Sequence, residues 1–237
     1  MNTERKSRLS INGVATVDGG RYQEVKIAGQ GTINEDLDTI QLTVNGHMEG
    51  LGDITTESMT VNGRLVTKRD LSAKKAQVNG LVKAWGDLQV PQLRIHGEVA
   101  GKKNLTSESI HIYGSLKLDG DCNTDSFTGK AQFQIDGLLN ADQIDISLYG
   151  SSAAKEIGGE KIIIKKGNKW NKFLPWLQSD LKVECIEGDY IELENTQAKI
   201  VRGKQIIIGK DCTIDRIEYQ DSYTAHTDSK VGEAIKV

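Results

Sequence analysis

Glycine marks this chain like a ruler: Gly29, Gly46, Gly63, Gly80, Gly97 and Gly114 stand 17 residues apart, and Gly13 precedes them by 16. A fixed short period means one supersecondary unit stacked on copies of itself. Aligned on the glycine, the copies share four apolar columns. Two residues before it stand Ile27, Val44, Val61, Val78, Ile95 and Ile112, and two after it Met48, Leu65, Val82, Val99 and Leu116, with Gly31 the exception. Eight after it come Leu37, Ile54, Leu71, Leu88, Leu105 and Cys122, and thirteen after it Leu42, Met59, Ala76, Leu93, Ile110 and Phe127. The positions between are mostly charged, small or polar, so each copy has an inside and an outside.

Around each glycine the pattern alternates with period two, as in Thr60-Val61-Asn62-Gly63-Arg64-Leu65, which suits strands that hide one face. The recurring Asn-Gly pairs, Asn12-Gly13, Asn45-Gly46, Asn62-Gly63 and Asn79-Gly80, are expected to take positive φ and bend the chain. A meander of hairpins also uses Asn-Gly, but it has no need to keep four columns in phase. A solenoid does. The expected fold is therefore all-β, a single right-handed parallel β-helix. It is a triangular β-solenoid of about 17 residues per coil and about eleven coils, with coils about 4.8 Å apart.

Asp36, Asp53, Asp70, Asp87, Asn104 and Asp121 stand seven after each glycine and would stack in one file. Hard cations take carboxylate oxygens, yet the file includes an asparagine and is flanked by Arg69 and Lys103. The expected role is to cap corners by bonding their own backbone, with no metal. His47, His96, His111 and His226 occupy different positions in the repeat and are expected to be solvated. No nucleophile motif or phosphate loop is present, so the reading is a non-enzyme with no catalytic, cofactor or metal residues. The formal charge of −3 gives no broad electrostatic case for nucleic acid. Cys122, Cys185 and Cys212 read as buried thiols of a cytoplasmic protein, and the start of the chain has no signal-peptide core.

After Gly114 the ruler slips, and segment 165–180 interrupts the pattern with two of the three tryptophans. Lys165, Lys166, Lys169 and Lys172 mixed with Trp170, Phe173, Leu174, Trp176 and Leu177 suit a membrane surface or a partner groove. The same aromatics also suit a lid folded onto the solenoid. The pattern then returns through Ile186-Glu187-Gly188-Asp189-Tyr190-Ile191, Ile206-Ile207-Ile208-Gly209 and Cys212-Thr213-Ile214. The expected organisation is a short tail at 1–8, the β-helix at 9–218 with its interruption, and a polar tail at 219–237.

This closing segment, with the Val-Asn-Gly ladder ahead of it, resembles the bactofilins, polymer-forming bacterial cytoskeletal proteins, and within them the longer Bacillus-type members. The resemblance spans Ile11 to roughly Tyr219. It implies a right-handed β-helix that assembles end to end, without nucleotide, into non-polar filaments near the inner membrane that serve cell shape or motility. Its partners would be copies of itself, another bactofilin, and peripherally the membrane. Two departures stand out: the solenoid fills most of the chain, and the first residues contain no evident apolar targeting stretch. A left-handed-solenoid acyltransferase and a carbohydrate-binding β-helix are the alternative classes.

Polymerisation also has a physical basis. A coil is stabilised by covering both neighbours, so the two end coils carry unpaired edges and half-covered columns. The expected contacts at those ends are Leu9 and Ile11 on one side and Ile206, Ile208, Ile214 and Ile217 on the other.

Overall fold

Period-two alternation makes the arms of each coil, and the places where it breaks make the corners. The computed structural model describes residues 6–167 and 179–237. Along Leu37–Val44, Leu37 and Thr39 face inward, Ile40 and Gln41 both face outward, and Leu42 and Val44 face inward again. Two successive outward residues do not fit a flat strand, so the chain turns there. The Thr39 hydroxyl donates to the Gln41 carbonyl around the bend at 3.2 Å. A second corner at Asn45-Gly46 leads to Met48 and Gly50, again inward. Each coil thus has three short arms.

All secondary structure among the described residues is strand, and the strands stack in parallel as a β-solenoid of about 13 turns. The chain divides into two compact units, Met1–Ile110 with Lys117–Gly120, and His111–Leu116 with Asp121–Val237. The first contains β1 (Lys6–Ile11), β2 (Val14–Val17), β3 (Gly20–Ile27), β4 (Gln30–Ile33), β5 (Leu37–Val44), β6 (His47–Gly50) and β7 (Ile54–Val61). It continues through β8 (Arg64–Thr67), β9 (Leu71–Val78), β10 (Leu81–Ala84), β11 (Leu88–Gln89), β12 (Gln92–Ile95), β13 (Glu98–Gly101) and β14 (Leu105–Thr106). Residues of β15 (Ser109–Ile112) and β16 (Ser115–Leu118) fall in both units.

Register in the first unit follows the glycine ruler. Ile27 pairs with Val44, Val44 with Val61, Val61 with Val78 and Val78 with Ile95, and all five are at most 1% exposed. The four expected columns are buried, but each coil has six. Ile33, Gly50, Thr67, Ala84 and Gly101 form a fifth, and Thr39, Thr56, Ala73, Val90 and Ser107 a sixth. Small and hydroxylated residues hid these two from a reading that looked for large apolar side chains. Their hydroxyls are satisfied: Thr56 donates to the Ser58 carbonyl at 3.2 Å around its own bend, and Ser107 donates to the Val90 carbonyl, 17 residues earlier, at 2.6 Å. Gly31 breaks its column because the Ile11 and Ile27 side chains already fill the space, their Cδ1 atoms 3.0 and 3.2 Å from where its Cβ would stand.

The ladder glycines need a correction. None of Gly29, Gly46, Gly63, Gly80 and Gly97 has positive φ, and neither do the asparagines before them. Glycine is required by distance instead. A Cβ on Gly46 would run into the carbonyl of Gly29 in the coil beneath, and the same holds at each later step. Those carbonyls are engaged, as when the His47 N–H donates to that of Gly29 at 2.8 Å.

The aspartate file also works between coils rather than within them. Asp36 Oδ1 accepts the N–H of Asp53 at 2.8 Å, Asp53 that of Asp70 at 3.2 Å, Asp70 that of Asp87 at 2.9 Å, and Asp87 that of Asn104 at 3.1 Å. The column beside it alternates: Glu35, Gly52, Arg69, Gly86, Lys103, Gly120. The two shorter bonds are made by the residues that follow Gly52 and Gly86, where a Cβ would lie against Asp36 and Asp70. The two longer ones follow Arg69 and Lys103.

The second unit contains β17 (Cys122–Leu148), β18 (Ser152–Lys166), β19 (Leu181–Leu193), β20 (Thr196–Ile208), β21 (Thr213–Ala225) and β22 (Lys230–Lys236). Its spacing varies: Leu139 pairs with Ile157, Ser152 with Leu181, Leu181 with Thr196, and Thr213 with Lys230. The long step from Ser152 to Leu181 contains the basic-aromatic interruption. The interior is isoleucine-rich, with Ile144, Ile162, Ile191 and Ile206 in one buried column, and Phe127 meets Phe133 edge to face at 5.7 Å. The stretch expected as a polar tail contains the end of β21 and all of β22. Lys230 stands 17 residues after its partner Thr213, so the period continues under a polar composition.

Candidate functional site

The edges of the strand ladder are the places where the chain's repeating interactions stop. On the N-terminal side, β1 pairs only with β3 and β2 only with β4 among the described residues. Of the contacts expected there, Ile11 is buried at 4% exposure beneath the next coil and Leu9 is half-buried. The exposed part is the corner that follows, where Val14 is 83% exposed and the position of a Gly13 Cβ has no atom within 4 Å.

On the C-terminal side the expected contacts move. Ile206, Ile208, Ile214 and Ile217 are at most 1% exposed, because β21 covers β20 and β22 covers β21. Val231 pairs over Ile214 and Ala234 over Ile217, so Val231, Ala234 and Ile235 form the outer row. Lys230, Glu233 and Lys236 stand among them, and charge on an edge strand discourages indiscriminate pairing.

Of the interrupting segment, Lys165 and Lys166 are described. Lys165 Nζ lies 2.9 Å from Glu192, and a hydrogen bond to that carboxylate raises its pKa. Lys166 Nζ is 3.6 Å from Asp211, and its N–H donates to Glu194 at 3.2 Å. Lys169, Trp170, Lys172, Phe173, Leu174, Trp176 and Leu177 lie outside the described residues. The third tryptophan, Trp85, is on the surface of the first unit, with Lys68 and Lys83 Nζ each 5.3 Å from its ring. Lys83 is two residues away along the chain, whereas Lys68, 17 residues before the ring, is recognised as its neighbour only once the coils are stacked.

Burial raises the pKa of all three thiols, most for Cys122, which is pushed up to about 12 with Asp121 adding to the effect. A thiol so held is a poor nucleophile at neutral pH. Cys212 is buried and donates to the Leu193 carbonyl at 3.4 Å, whereas Cys185 is half-buried in a groove of about 560 Å³. Gly159, Gly188 and Gly203 line that groove in register, and the ion pairs Arg202–Glu218 at 2.7 Å and Lys204–Asp189 at 2.9 Å flank it. The histidines differ from one another in setting. His111 Nδ1 is 3.1 Å from Thr128 Oγ1 and its ring meets Tyr113 edge to face, while His226 Nδ1 accepts the Asp228 N–H.

No family model matches the chain, and no solved structure matches it. Two Bacillus subtilis (strain 168) proteins, both called uncharacterized, are similar to it. YhbF is 38% identical over 102 residues, 43% of this chain and 42% of that protein. YhbE is 54% identical over 234 residues, 97% of this chain and 98% of its own length, and the chain belongs to the YhbE family.

Proposed function

We propose that this chain is a bactofilin-like scaffold protein, a non-enzymatic cytoplasmic solenoid that assembles end to end with copies of itself. Its filaments need no nucleotide or other cofactor and serve cell shape or motility beside the inner membrane. A related bactofilin-like chain is a co-assembly partner of the right kind, and segment 165–180 is the candidate membrane contact.

The observation that carries this reading is at the first coil. Gly29, Gly46, Gly63, Gly80 and Gly97 each leave out a Cβ because a carbonyl of the coil beneath occupies the place, whereas Gly13 leaves it out facing open space. Backbone of a second molecule, seated on β1 and β2, would give Gly13 the same work. It would also pair the open strand edges, as each coil does for its neighbour.

Negative-stain microscopy and light scattering in nucleotide-free buffer test this reading, and the parent protein is expected to form filaments. Gly13→Val is expected to melt at the parental temperature, since no atom among the described residues lies within 4 Å of where its Cβ would stand, yet to give short species. Ala234→Lys should act alike at the other edge. Filaments of parental length from both variants, or none from the parent, would overturn the proposal.

A further inference from the structure

Three of the four Asn-Gly pairs are locked into the stack. Asn62 Nδ2 donates to Asn45 Oδ1 at 2.7 Å and Asn79 Nδ2 to Asn62 Oδ1 at 2.7 Å, while Asn79 Oδ1 also accepts from Gln77 at 3.1 Å. The glycine N–H groups of these pairs donate to the coil beneath: Gly46 to Ile27 at 3.1 Å, Gly63 to Val44 at 3.0 Å and Gly80 to Val61 at 3.0 Å. Asn12-Gly13 has no coil beneath it among the described residues. Its Asn12 side chain is exposed, neither that amide nor the Gly13 N–H makes a hydrogen bond there, and Gly13 faces open space.

We propose that Asn12 is a site of spontaneous covalent modification, deamidation through its own backbone. The Gly13 nitrogen attacks Asn12 Cγ. A new N–Cγ bond closes a five-membered succinimide, the bond from Cγ to the amide nitrogen breaks, and ammonia leaves carrying the Gly13 proton. Water then opens the ring, its hydroxyl going to one ring carbonyl carbon and its proton to the nitrogen, to give aspartate or isoaspartate at position 12. Glycine suits the step because no Cβ crowds the attacking nitrogen. The locked pairs must first lose both an amide and an N–H hydrogen bond, so they react only after local opening.

The consequence rests on the end-to-end reading; the chemistry does not. The product puts a negative charge at the open edge, and isoaspartate adds a carbon to the backbone just before β2, whose Val14 is in register with Gln30. The open edge therefore loses its capacity to accept a partner with time, and a seated partner protects it.

Soluble protein held at mildly alkaline pH and mapped by peptide mass spectrometry tests the site. Asn12 is expected to convert roughly thirty-fold faster than Asn45, Asn62 or Asn79, the factor that two ordinary hydrogen bonds impose. Gly13→Ala should slow it. Equal rates at all four sites, or an intact Asn12 beside a converted locked one, overturns the proposal even if the parent forms filaments. For the consequence, Asn12→Asp and aged protein should polymerise less than fresh protein or Asn12→Gln. Parental assembly by Asn12→Asp refutes that link while leaving the chemical site standing.

Discussion

Gly63 has no positive φ and a hydrogen-bonded N–H, and still it admits no side chain, because a Cβ would run into the carbonyl of Gly46. Gly63→Ala is expected to cost on the order of 1–3 kcal/mol, the range of forced overpacking, read as a lowered melting temperature. A parental melt would mean that the coils can part without loss. Cys122 gives a second single-residue effect. Its pKa rises from an ordinary 9.0 to about 12, so the folded chain keeps the proton where the unfolded chain has lost it. Stability from this group is constant below about pH 9 and falls as pH climbs toward about 12. In denaturant titrations at several pH values, Cys122→Ala should lose part of that alkaline decline, whatever its cost at neutral pH. Identical alkaline slopes for variant and parent would assign the decline to other groups.

A single strand of the ladder is only as good as the column it completes. Val78 stands between Val61 and Ile95 in register, at 1% exposure, so Val78→Asp would bury an unpartnered charge and cost several kcal/mol. Exchanging the exposed pair Lys74 and Glu57, 3.1 Å apart, should change stability by under about 1 kcal/mol. Cooperative folding of the aspartate variant at parental stability would contradict the register. This register could be read from sequence, because Val44, Val61 and Val78 repeat as large apolar residues at one spacing. The hydroxyl column from Thr39 to Ser107 could not, because threonine and serine face solvent as readily as a corner. The C-terminal edge was misplaced for a related reason. Ser222, Thr224 and Asp228 look like a tail, while strand pairing depends on backbone groups that composition does not reveal. Asn12 and Gly13 were legible as a motif, but their lack of neighbours shows only in three dimensions.

In a stacked chain each coil answers only to the next, so the whole tolerates the loss of a part if the neighbours still fit. The alternation Gly52, Arg69, Gly86, Lys103, Gly120 sets a condition on that fit, because one coil in two leaves room that the other fills. Deleting residues 70–86 removes a full period yet brings Arg69 and Lys103 into adjacent coils, about 4.8 Å apart, as like charges with a side chain on both. Deleting 53–86 removes two periods and leaves Gly52 beneath Lys103, as Gly86 is now. The shorter of the two chains is expected to melt no lower than the longer, and a higher melt for the single deletion would refute this. Such a molecule can lengthen or shorten by even numbers of coils while preserving its fit. Its parity is then an inherited constraint as real as its period.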